Sequence, residues 1–198
     1  MASAFIYFIA VLGANLTATL FIPFPIFGQV AVGTFIFGIT FSQRDRMHNS
    51  GGRAFVYKAI LFTAVMNTAI LLGYKYYLAP GVLAYCQKAG WPWIYEGLAI
   101  LQASSLRLLL ASFVAIILSE SADTEIYHRL RERSWLVRVA RSNAVSIPLD
   151  TLVFNLMAFA GIFPAKVLLA IMFGEIVVKY LIGLLYGMLI RPKNRAIS

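Results

Sequence analysis

The sequence predicts an all-α integral membrane protein, a six-transmembrane-helix bundle forming one domain over residues 1–198. Three observations predict it. Hydrophobic residues make up 61% of the chain and charged ones 13%, with a mean hydropathy of +0.80, whereas a soluble domain holds about 25% charged residues. The apolar residues fall into runs near span length, since a helix crossing the hydrocarbon needs about 20 residues. The basic residues behind the formal charge of +9 gather in a few connecting segments. That distribution suits loops against anionic lipid and argues against a nucleic-acid surface.

The first span is expected over Ala4–Ile22, ended by Pro23 and Pro25, whose rings restrict the backbone. No basic segment or cleavage site marks it as a removed signal peptide. Ala10, Ala14 and Ala18 recur every four positions, a stripe suited to close helix packing. Asn15, near mid-span, makes either an interhelical hydrogen bond or a ligand contact. Span two is expected over Ile26–Ser42 and span three over Ala54–Leu78, with Asn67 near the middle of the latter. The intervening QRDRMHNSGGR is a wet loop turning at Gly51 and Gly52. His48 within it has no second ligand at metal-binding spacing.

The aromatic-rich segment Ala79–Glu96 fits an interfacial belt with a short surface helix near Val82–Lys88. Span four follows over Gly97–Ser119. Arg107, about ten residues in and hence about 15 Å deep, should face an acid, a ligand or water. Residues 120–141 form a cytoplasmic charged connector, an amphipathic helix at the lipid surface. Glu120 and Asp123 adjoin the end of span four and can cap an inward-facing cavity. Span five is expected over Ala144–Ile162 with Pro148, Asp150 and Asn155. Span six, over Ala165–Ile190, carries Glu175 and Lys179 on one face, four residues apart. The positive-inside rule places both termini, and the basic tail RPKNRAIS, in the cytoplasm of a multi-pass inner-membrane protein.

Arg107, Asp150, Glu175 and Lys179, with Asn15, Asn67, Gln102 and Asn155, put more polarity inside the membrane than an anchor requires. They form either a paired structural network or a central cavity for a small solute. Enzyme chemistry is not expected: no HExxH pair, cysteine–histidine arrangement or phosphate-binding glycine loop is present. Cys86 is the only cysteine, which excludes an internal disulfide and a multi-cysteine metal site. No cofactor or metal is expected.

The central segment resembles the queuosine-precursor transporter family, also described as the vitamin-uptake-transporter-like integral membrane family. The resemblance lies in Ser119, Glu120, Asp123, Thr124, Tyr127, Leu130, Arg131 and Arg133, and continues through Asn143, Ser146, Asp150, Thr151 and Phe154. The loop residues Phe41, Arg44, Asp45, His48, Gly52 and Arg53 are similar too. The resemblance implies a six-span carrier whose helix count matches the vitamin-binding subunits of energy-coupling-factor transporters, working without the ATPase module. The implied substrates are 7-cyano-7-deazaguanine or 7-aminomethyl-7-deazaguanine, taken up for the tRNA bases queuosine or archaeosine. Asp45, Glu120, Asp123 and Asn143 are then gate or motif residues.

A carboxylate, Asp150 or Glu175, can receive the ring N–H and exocyclic amine, while Arg107, Asn67, Gln102 or Asn155 serves the carbonyl and nitrile side. Transport is facilitative or coupled to protons through an intramembrane carboxylate. The alternatives are a substrate-binding subunit with a separate energising module, docked on the alanine stripe, and a structural membrane protein without transport. Expected partners are the deazaguanine and membrane lipid, with a homodimer allowed.

Overall fold

The structure, a computed structural model, describes residues 2–24, 26 and 28–189. Helix α1 (Ala2–Leu16) leads into the strands β1 (Phe21–Phe24) and β2 (Gly28–Ala31). Helix α2 (Val32–Gly73) passes through a π-helical segment, Tyr74–Leu78, into α3 (Ala79–Lys88). The chain ends in α4 (Pro92–Arg129), α5 (Trp135–Phe159) and α6 (Ala165–Leu189). The fold is thus carried by α-helices, with one small antiparallel hairpin in which Phe21 pairs with Ala31 and Phe24 with Gly28. Pro23 is tolerated there because a two-stranded ribbon has free edges.

The expected six-span bundle is corrected by these lengths. Among the described residues, two stretches are long and apolar enough to cross a membrane, Val32–Lys88 and Ala165–Leu189. They become three if the two arms of α4, Pro92–Ser104 and Leu106–Arg129, which meet at 80°, count as one bent span. Three causes reduce the number. The first expected span stops as a helix at Leu16, and 15 residues reach only about 22 Å at 1.5 Å per residue. The hairpin takes up the start of the second expected span. Helix α5 is long enough, but Arg138, Arg141, Asp150 and its serines and asparagines lower its hydropathy. The short helix expected near Val82–Lys88 is present as part of α3. Pro25 and the basic tail lie outside the described residues.

The loop expected between spans two and three is helical up to Gly52, the single residue of α2 with non-helical geometry (φ 71°, ψ 179°). The chain folds back there. Phe37 lines a cleft with Ser112 and Ile116, and Arg44 meets Glu120, so residues 32–51 run in the same direction as α4. Arg53 meets Glu125, and Val65 lies with Leu109 and Phe113, so residues 53–73 run against it. The Gly52 conformation is essentially restricted to glycine. Gly52→Ala is therefore expected to cost about 1–3 kcal/mol, read as a lower thermal midpoint of the detergent-solubilised protein; an unchanged midpoint would contradict the reversal.

Polarity is distributed inside out. On α6, Leu169, Phe173, Leu181 and Leu185 are exposed while Glu175 and Lys179 are buried. Such an apolar exterior is what lipid, not water, solvates. Two apolar clusters bracket the polar interior: Ile147 of α5 belongs to one, with Tyr7, Phe37 and Phe41, and Ala158 and Phe159 belong to the other, with Leu101 and Met172. Asp150, Thr151 and Asn155 fall between them on α5. The alanine stripe is used internally: Ala10, Ala14 and Ala18 are all buried, and Gly33 of α2 approaches the Ala14 carbonyl so closely that no Cβ would fit.

Candidate functional site: a polar cleft above an ion cluster

Glu175 and Lys179, one turn apart, project from α6 toward α5. The Lys179 ammonium donates to Asp150 Oδ2 at 3.0 Å, Thr151 Oγ1 at 3.1 Å and Glu175 Oε2 at 3.4 Å. Asn155 Nδ2 donates to Glu175 Oε2 at 2.9 Å and to the Thr151 carbonyl at 3.0 Å. Ser119 of α4 donates to Asp150 Oδ1 at 3.4 Å. Pro148, inside α5, has no N–H for the Ala144 carbonyl one turn earlier, which loosens the helix next to Asp150.

Asp150, Glu175 and Lys179 form one end of a cleft enclosing about 400 Å³ of empty space, its open mouth included. Phe37 and Phe154 supply aromatic walls, and Asn15, Ser112 and Thr34 supply further polar groups. Asn15 Nδ2 donates to Ser112 Oγ at 2.8 Å, joining α1 to α4 across the cleft.

About 10 Å further along α2, two turns beyond Phe37, lies a second polar cluster. The Arg44 guanidinium pairs with Glu120 Oε2 at 2.7 Å and Asp123 Oδ2 at 2.8 Å, with Asp45 Oδ1 at 3.5 Å. It also donates to Asn143 Oδ1 at 3.4 Å, and Ser146 donates to Asp123 Oδ1 at 2.8 Å. Glu120, Asp123, Asn143 and Ser146 are wholly inaccessible, and Arg44 and Asp45 are 1% exposed. One turn beyond, Tyr127 closes the cluster: its ring meets His48 edge-to-face at 5.0 Å, lies under the Arg138 guanidinium at 3.8 Å, and its hydroxyl donates to Asn49.

Of the eight residues expected to bind solute, Asn15, Asp150, Glu175 and Lys179 line the cleft, and Asn155 holds Glu175 from behind. Asn67 is buried in the second arm of α2, and Gln102 is half-buried on α4; neither lines the cleft. Arg107 corrects the depth argument. It is exposed, and its guanidinium donates to the Met157 and Ala160 carbonyls at the C-terminal end of α5, where a cation meets the negative pole of the helix. Counting residues from the span's end assumed a straight helix, and α4 bends between Ser104 and Leu106. Arg107→Gln is expected to leave the KM for uptake within about twofold of wild type; a tenfold rise would place Arg107 on the solute.

The expected gate residues Asp45, Glu120, Asp123 and Asn143 all fall in the second cluster. Glu120–Arg129 is the last part of α4 and residues 135–141 open α5, so the inner face of the charged connector is buried. Residue-by-residue reading missed Arg44, taken as a wet loop charge, and Ser112. A signal for part of the cluster was present: Asn143, Ser146 and Asp150 recur at i, i+3 and i+7, as do Glu120, Asp123 and Tyr127, each a polar stripe on one helix face. No group of described residues has the arrangement of a metal site.

A family described as "Putative vitamin uptake transporter" matches residues 31–191, which hold every site element except α1. A relative named "Probable queuosine precursor transporter", from Bacillus subtilis (strain 168), is 28% identical over 168 residues, 81% of this chain and 70% of the relative. No solved structure matches the chain.

Proposed function

The chain belongs to the vitamin uptake transporter family, and from that premise we propose that it takes up a 7-deazaguanine, 7-cyano or 7-aminomethyl, through the cytoplasmic membrane. It is a membrane-embedded member of a transporter family, not of an enzyme class. The name of the Bacillus relative supports the queuosine-precursor substrate for this chain. The observation that carries the proposal is the convergence of two buried carboxylates, Asp150 and Glu175, at the end of an open cleft with aromatic walls.

A deazaguanine presents a ring N–H beside an exocyclic amine, and one carboxylate accepts both in parallel. Asp150 has that role here. Phe37 or Phe154 stacks on the flat ring, and Asn15 with Ser112 faces the ring carbonyl. Lys179 and Asn155 orient the carboxylates. Asn67, Gln102 and Arg107 lie off the cleft and are left out of the ligand set.

The Arg44–Glu120–Asp123 lock closes the far side of the cleft and acts as the cytoplasmic gate, with both termini on that side. Opening it exchanges buried ion pairs for hydrated ones, which makes the gate a two-state element. Vesicles containing only this purified protein are expected to accumulate labelled 7-aminomethyl- or 7-cyano-7-deazaguanine saturably, with competition by the unlabelled compound. Binding without uptake would instead favour a substrate-binding subunit that needs an energising partner. Neither binding nor uptake would reject the deazaguanine.

A further inference from the structure

The proposed function uses one of the two cleft carboxylates and leaves Glu175 without a task. Both contacts of Glu175 fall on Oε2. The nitrogen donors around it have nothing left to give. The three N–H bonds of Lys179 go to Asp150, Thr151 and Glu175, and the two of Asn155 Nδ2 go to Thr151 and Glu175. Glu175 lines the cleft, so its second oxygen, Oε1, offers an acceptor there and calls for a donor.

Charge points the same way. Asp150 and Glu175 share one cation, Lys179. With all three ionised, this end of the cleft carries one negative charge more than positive ones. Uncompensated charge in such surroundings is expensive. A ligand that brings a positive charge relieves it, and a neutral ligand does not.

We infer that the ligand of this cleft is a cation whose primary ammonium sits against Glu175 Oε1. The inference rests on the deazaguanine reading and deepens it: the protein should prefer the aminomethyl precursor to the nitrile. An ammonium has three donors and no acceptor, and a nitrile nitrogen only accepts. The nitrile would face Glu175 with nothing to donate, and it carries no charge.

The test is a competition series on the purified wild-type protein at pH 7, displacing labelled 7-aminomethyl-7-deazaguanine with unlabelled 7-aminomethyl-, 7-cyano- and 7-hydroxymethyl-7-deazaguanine. The hydroxymethyl compound matches the aminomethyl one in size without its charge. The aminomethyl compound is expected to bind at least about tenfold more tightly than either neutral one, roughly 1.4 kcal/mol. Glu175→Gln should shrink that margin to about twofold or less. Equal or tighter binding of the neutral compounds to wild type would overturn the cation while leaving the deazaguanine intact. An undiminished margin in a folded Glu175→Gln protein would overturn the placement at Glu175. Failure of all three to bind would overturn both the inference and the proposed function.

Discussion

Arg44→Met is expected to cost about 3–5 kcal/mol, because it leaves Glu120 and Asp123 as buried acids with no cation in reach. The guanidinium is the hub of this cluster. Its two terminal nitrogens meet carboxylates from two successive turns of α4 at 2.7 and 2.8 Å, and one of them also reaches Asn143 of α5. Methionine fills much of the same volume and keeps contact with Phe41, so the loss isolates charge from packing. The measurement is the thermal midpoint and the yield of monodisperse protein in detergent, both of which should fall sharply. The triple change Arg44→Met, Glu120→Gln and Asp123→Asn removes the unpaired charges with the cation and should recover most of the midpoint, since deleting a whole buried ion set is often nearly neutral. If Arg44→Met alone is as stable as wild type, the cluster is not holding α2, α4 and α5 together. If the triple variant folds yet transports normally, the lock is not the gate.

Asp150→Asn is expected to reduce uptake efficiency by about 100-fold or more while the protein still folds. A carboxylate facing a ring N–H and an amine makes two charge-assisted hydrogen bonds, each worth about 1.5–3 kcal/mol. The asparagine that replaces it keeps one acceptor and turns the other into a donor aimed at a donor. Folding survives because the remaining oxygen can still accept from Lys179, which also keeps Thr151 and Glu175. The loss should appear in kcat/KM for labelled precursor, with a thermal midpoint close to wild type. Undiminished uptake by a folded Asp150→Asn protein would remove Asp150 from the solute site and with it the main support for the proposed function.

The two polar clusters were unequally legible before the structure. Glu175 and Lys179 declared themselves, since a spacing of four puts both on one face of an apolar helix and neither can be left facing lipid. Asp150 and Asn155 stood out for the same reason against the apolar residues around them. Arg44 did not. It sits in a polar run whose composition is that of an exposed loop, and its burial depends on partners 76 and 79 positions later in the chain. Arg107 misled in the opposite direction: an arginine amid apolar residues was expected to face an acid, a ligand or water, but the carbonyls that end α5 hold it. The span count failed in the same way, because a run of apolar residues states that a segment avoids water without stating where its helix stops. Only the backbone showed α1 ending at Leu16, the hairpin from Phe21 to Ala31, and helix continuing up to Gly52.

Composition and periodicity by themselves determined that the chain is helical, lives in lipid and carries more polarity within its apolar runs than an anchor requires. These are local properties, set by what each side chain can bear to face. The tertiary structure decided which charges meet: Arg44 with Glu120 and Asp123, Lys179 with Asp150 and Glu175, and Arg107 with the end of α5. Electrostatic attraction depends on separation in space, and the fold-back at Gly52 and the bend in α4 set those separations.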